Sequence, residues 1–172
     1  PVAAVVLAAG AASRFGSPKQ VLLLPSVLAR LEASPVGEII VVEGAHALER
    51  VAGRARIVHC AHWSRGPGAS LRCGLEALPR RIGAAVVALA DGPELAPAAV
   101  ARVIDDWREH GGAVVAASYG GVRGHPLLLA RSHWAAVPDG GLRTYQPRLV
   151  PCDDLGSPGD VDTPADLPRS DS

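Results

Sequence analysis

Two runs in this chain, Val2-Ala3-Ala4-Val5-Val6-Leu7 and Ala84-Ala85-Val86-Val87-Ala88-Leu89, contain no polar side chain. A strand with one wet face alternates apolar and polar residues, so an unbroken apolar run marks a strand covered on both faces, as in the middle of a parallel sheet. Further apolar runs rich in β-branched residues occur at 38–42, 56–59 and 113–117, separated by stretches of helical spacing at 27–33, 45–52, 69–78 and 97–110. This alternation predicts an α/β fold: a three-layer, Rossmann-like, mostly parallel sheet with helices on both faces. The two unbroken runs sit at its centre and ligands bind at the carboxyl ends of its strands. After residue 118 the pattern loosens through Ser118-Tyr119-Gly120-Gly121-Val122-Arg123-Gly124-His125-Pro126, tightens briefly at Leu127-Leu128-Leu129-Ala130, and ends in a Pro/Gly/Asp-rich stretch from Pro138.

A chain of 172 residues, 48% hydrophobic, suffices for one well-cored domain, expected over 1–167 with a disordered tail at 168–172. Aromatic residues make up only 3%, so close packing of Ala and Gly between helix and sheet has to fill the core. Basic and acidic residues balance at seventeen each, which gives no global field for nucleic acid or an anionic membrane surface. No apolar run approaches a membrane span and no basic n-region opens the chain, so a cytoplasmic protein is expected; the absence of an initiator Met suggests processing or trimming. Cys60, Cys73 and Cys152 form no C-x-x-C pair and are odd in number, which suits reduced, buried thiols in a cytosol.

The only lysine, Lys19, closes the segment Leu7-Ala8-Ala9-Gly10-Ala11-Ala12-Ser13-Arg14-Phe15-Gly16-Ser17-Pro18-Lys19, directly after the first apolar run. Everywhere else positive charge is supplied by sixteen arginines. A compact ammonium on a flexible stem follows a phosphate in a way a planar guanidinium does not. Gly10, Gly16 and the small residues between them leave backbone N–H groups free to form an anion-binding concavity. A surface lysine after a glycine turn is the simpler alternative. A Walker A loop is excluded because five residues separate the glycines and Ser17-Pro18 precede the lysine; a dinucleotide fingerprint is excluded because no G-x-G-x-x-G is present.

The whole string resembles the L-A-A-G-x-S-x-R-F/M-G-x-x-K signature of nucleotidyltransferases of the molybdenum-cofactor type, and more broadly that of nucleotide-diphospho-sugar transferases, through Leu7, Ala8, Ala9, Gly10, Ser13, Arg14, Phe15, Gly16 and Lys19. The resemblance implies a loop wrapped round the triphosphate of a nucleoside triphosphate, with Arg14 and Lys19 neutralising it. It also implies the sheet type of that superfamily. Its Ala8-Ala9-Gly10 form resembles the cytidylyl branch, implying CTP; GTP is the alternative donor.

Four further segments carry the resemblance. Ala90-Asp91-Gly92-Pro93 follows the second apolar run and matches A-D-x-P, implying that Asp91 holds Mg²⁺; Mg²⁺ binds one or two carboxylates together with substrate phosphates. By itself Asp91 also reads as a turn residue. Asp160-Val161-Asp162-Thr163-Pro164-Ala165-Asp166-Leu167 resembles the closing D-[IV]-D-T-P-x-D-L, in which Asp160 or Asp162 completes the metal site, Asp162 being preferred. The same segment reads as a helix start capped by Thr163. Gly66, Ser70, Leu71, Gly74 and Leu75 match G-x-x-x-S-L-x-x-G-L, which implies that Ser70 contacts the nucleotide. Arg72 stays open between a substrate contact and a solvent-exposed helix residue. Arg123-Gly124-His125-Pro126 resembles R-G-H-P, implying that His125 meets the acceptor, a pterin or its phosphate; a packed loop histidine is the other reading. His59-Cys60-Ala61-His62 lacks a zinc ligand set. The function implied is transfer of a nucleotidyl group to molybdopterin or another phosphorylated acceptor, with a non-catalytic carrier serving a molybdoenzyme as the rival.

Overall fold

The computed structural model describes residues 1–9, 19–45, 47–48 and 55–157. Seven strands, β1 (Val2–Ala8), β2 (Ile39–Glu43), β3 (Arg56–His59), β4 (Ala84–Leu89), β5 (Val114–Tyr119), β6 (Val122–Ala130) and β7 (Arg148–Pro151), form one sheet in the order β3-β2-β1-β4-β6-β5-β7. The pairings β1·β2, β1·β4, β2·β3 and β5·β7 are parallel, and β6 alone runs antiparallel, against both β4 and β5. The mostly parallel three-layer sheet expected from the sequence is therefore present, with the two unbroken apolar runs side by side near its centre.

Alternation along β1 divides the core. Val2, Ala4, Val6 and Ala8 pack against Leu24, Val27, Leu28 and Leu31 of α1 (Lys19–Glu32) and Val100, Val103 and Ile104 of α3 (Pro97–His110). Ala3, Val5 and Ala9 face Leu71 and Leu75 of α2 (Pro67–Glu76) together with Trp134. Contact on this second face is close: a Cβ on Gly74 would stand 2.7 Å from side-chain carbons of both Val42 and Val5. Small residues take the place that large rings fill in aromatic-rich cores.

The structure differs from the sequence reading in four places. The first helix starts at Lys19, not at 27, because buried Leu23, Leu24, Val27, Leu28 and Leu31 make one continuous helical stripe past the exposed Pro25. The expected helix at 45–52 is absent from Ala45, Ala47 and Leu48, where the Leu48 N–H donates to the buried Glu43 carboxylate at 2.9 Å; the rest of that span lies outside the described residues. The loosened segment after 118 contains β6 and β7. Between the pairs Ala116↔Leu127 and Ser118↔Arg123 the register shifts, so Gly124, His125 and Pro126 bulge opposite Ala117, and Pro126 sits where the ladder asks for no N–H. Finally, Cys60 and Cys73 form a disulfide, against the expectation of reduced thiols. Packing α2 over the sheet brings these residues to a Cα separation of 5.8 Å, which their spacing in sequence does not betray. Cys152 is free and buried. No helix among the described residues is long and apolar enough to cross a membrane.

Candidate active site

The carboxyl ends of β1 and β4 meet the amino-terminal half of the antiparallel β6. The Ala90 N–H donates to Leu7 O at 3.1 Å, tying the turn that carries Asp91 to the end of β1. Ala45 N–H donates to Ala9 O at 3.0 Å from the other side. Two cavities open here on the α2 face. One, of about 240 Å³, is lined by Leu7, Ala9, Trp63, Ser64, Gly66, Pro67 and Ser70. Trp63 lies directly on Gly44, where a Cβ would stand 2.5 Å from its side chain. The other, of about 370 Å³, has Leu7, Val87, Leu89 and Leu127 among its apolar walls, Arg123 and His125 from β6, and residues 140–143 as an outer wall. Leu7 and Pro67 line both, so the cavities adjoin.

The sequence-predicted residues distribute as follows. Leu7 and Ala9 line cavities, whereas Ala8 points the opposite way into the α1/α3 core. Ser70 is buried in the first turns of α2 and lines the smaller cavity; the helix is opened by Gly66 at φ 134° and by Pro67 in its first turn. His125 lines the larger cavity. Burial, reinforced by the Arg123 charge, pushes its imidazole below the usual pKa, while the charge of nearby Asp91 acts in the opposite direction. Asp91 and His125 are thus brought within electrostatic reach. Lys19 begins α1. Gly10, Ser13, Arg14, Asp160 and Asp162 lie outside the described residues.

Several contacts around these cavities went unread in the sequence. Arg72, which the sequence left open, donates to Val137 O and to the Asp139 carboxylate, and that bond holds the Asp139 carboxyl below the usual range. Arg123 donates to Tyr145 O at 2.5 Å and Leu142 O at 3.0 Å. Tyr119 donates to His125 O. Trp63 and residues 140–143 carry no motif that marks them. Among the described residues no group of three or more His, Cys, Asp or Glu is placed to hold a metal ion. Asp91 is nonetheless a hard oxygen donor of the kind Mg²⁺ takes when substrate phosphates supply the remaining ligands.

The mostly parallel seven-stranded sheet with helices on both faces is the fold of solved nucleotide-diphospho-sugar transferases. The chain belongs to the MobA-like NTP transferase domain family, which it matches over residues 4–144. It is similar to Rv0371c from Mycobacterium tuberculosis H37Rv, with 29% identity, 96% of this chain and 94% of that one covered, and a TM-score of 0.81. A structure of Rv0371c in complex with manganese aligns at 23% identity over 98% of this chain and 94% of that one, with a TM-score of 0.71. CMP:2-keto-3-deoxy-manno-octonic acid synthetase, solved with CTP, shares the fold at 13% identity, covering 95% of this chain and 94% of that one, with a TM-score of 0.71. A search of the curated proteins found no match.

Proposed function

We propose that this protein transfers a cytidylyl group from CTP to a phosphorylated acceptor, molybdopterin foremost, and releases pyrophosphate. The observation that carries the reading is the pair of adjoining cavities divided by Leu7 and Pro67. The smaller suits the base and ribose, with Ser70 and the backbone at Ala8 and Ala9 meeting polar edges, and the larger suits the acceptor beside His125. An acceptor phosphate oxygen attacks the α-phosphorus in line, and the bond to the β-phosphate breaks as pyrophosphate leaves. Such a reaction needs positioning and charge stabilisation more than a nucleophilic side chain.

In this scheme Leu7 to Gly10 and Ser13 contact the nucleotide, while Arg14 and Lys19 neutralise the triphosphate. A neutral His125 keeps one ring nitrogen as a donor for the acceptor. Asp91, with Asp162 as partner, would hold Mg²⁺; when bound, the ion neutralises charge on the phosphates. The manganese complex of Rv0371c supports a divalent ion in this setting. The absence of a membrane-crossing helix among the described residues is compatible with work in the cytoplasm.

The test is pyrophosphate release with each of the four NTPs, with and without molybdopterin. Release confined to CTP plus molybdopterin is expected. Release with GTP alone would reassign the donor, and release with none would turn the reading to a carrier that binds nucleotide or cofactor without chemistry.

A further inference from the structure

Residues 140–143 wall the larger cavity, and the segment 137–139 that leads into them is gripped by the helix that lines the smaller one. Arg72 of α2 sends one terminal nitrogen to Val137 O and the other to the Asp139 carboxylate. One turn earlier on α2, the Gly68 N–H donates to Asp139 O at 2.8 Å. The approach is too close for side chains: a Cβ at Gly66 would lie 2.4 Å from Asp139 O, and one at Gly68 only 1.7 Å from Pro138 O. Gly141, at φ +95°, turns the chain back over Pro67, and its N–H closes the turn on Pro138 O at 2.9 Å. From the opposite side Arg123 holds Leu142 O and Tyr145 O.

This segment is therefore a strap slung between two guanidinium groups, one on α2 and one on β6. The Arg72–Asp139 ion pair alone cannot account for it, since the Asp139 side chain is 51% exposed and its charge is screened. What a guanidinium contributes is a planar fork that fixes two acceptors at a set spacing, which an ammonium cannot reproduce.

We infer that Arg72 is a positioning residue: it sets the width of the larger cavity and locks it to the helix turn bearing Ser70. The inference rests on the reading of that cavity as the acceptor's. Acceptor and nucleotide walls then move as one body, so their relative placement is fixed before either substrate arrives.

The experiment compares Arg72→Ala, Arg72→Lys and His125→Ala in steady-state assays with CTP and molybdopterin, together with amide hydrogen exchange at Gly68. Arg72→Ala is expected to raise the acceptor KM about tenfold while the CTP KM stays within about twofold, a split that general destabilisation would not produce. Exchange at Gly68 should quicken about tenfold, and Arg72→Lys, keeping one bond of two, should fall between. Equal rises in both KM values, or no change in either KM or in exchange, would overturn the inference. His125→Ala separates the two readings: an unchanged acceptor KM in that variant refutes the acceptor cavity itself. A raised KM there beside an unaffected Arg72→Ala refutes only the role of Arg72. Should the wild-type protein turn over no molybdopterin, exchange at Gly68 decides, and an unchanged rate in Arg72→Ala overturns the strap.

Discussion

The Tyr119 hydroxyl donates to the carbonyl oxygen of His125 across 2.7 Å, and the Tyr119 ring occupies the space a Cβ on Gly124 would need, 2.9 Å from its Cε2. The bulge that presents His125 is thus shaped from β5. Burial foremost pushes the Tyr119 pKa up to about 12, so the hydroxyl remains a donor at any working pH. Tyr119→Phe keeps the ring and deletes one hydrogen bond, which should cost about 1 kcal/mol. A urea midpoint unchanged from wild type would contradict that role.

Gly68→Ala should cost about 1–3 kcal/mol, because the new methyl meets backbone at Pro138 and the strap must shift. Gly83→Ala is the control: its Cβ would meet only Trp107 at an ordinary 3.6 Å, so a change within about 0.5 kcal/mol is expected. Equal losses in the two variants, measured by denaturant unfolding, would count against close docking of the strap.

Acid should destabilise the fold through His125. Its folded pKa lies below the value of 6.5 for an ordinary histidine, chiefly through burial, with Arg123 adding and Asp91 opposing. The unfolded chain therefore binds the proton first. Stability is intact above about 6.5 and declines as pH falls from there toward the folded pKa. His125→Gln should flatten that decline below about pH 6.5. An equally steep loss in the variant would show that other groups dominate.

Asp91→Asn keeps volume and removes charge, so metal-dependent turnover should fall by about a hundredfold or more with little change in melting temperature. Lys19→Ala should weaken nucleotide binding, and Lys19→Arg should rescue it only in part. Wild-type turnover in these variants would move the phosphate and metal sites elsewhere.

Ala9 is buried against the smaller cavity. If its methyl crowds a purine, Ala9→Gly should raise GTP use relative to CTP, by an amount set by the roughly 1–3 kcal/mol that one methyl controls in a pocket. Competition assays with both nucleotides measure it, and an unmoved ratio would end this account of specificity.

The central strands and three of the helices were legible because their signals are local: unbroken apolar runs at β1 and β4, Pro97 opening α3, glycine after His110 closing it. β6 was not, since its first half is only partly buried, glycine-bearing and interrupted by Pro126, which only the bulge explains. At the site, Ser70 and His125 announced themselves through their motifs. The contacts of Arg72, Arg123 and Tyr119 did not, because most of their partners are main-chain carbonyls, and a carbonyl has no letter in a sequence.

Because β6 is clamped on both flanks, by β4 and by β5, length changes should be tolerated very unevenly around this edge. Inserting one residue within 127–130 reverses the facing of every side chain on one side of the insertion and breaks two ladders at once. The exposed stretch around Thr144 and Gln146 pairs with no strand and can lengthen. Diversification among descendants of this chain is therefore channelled: the exposed stretch just past the strap is free to lengthen, while the strand bearing His125 changes by substitution alone.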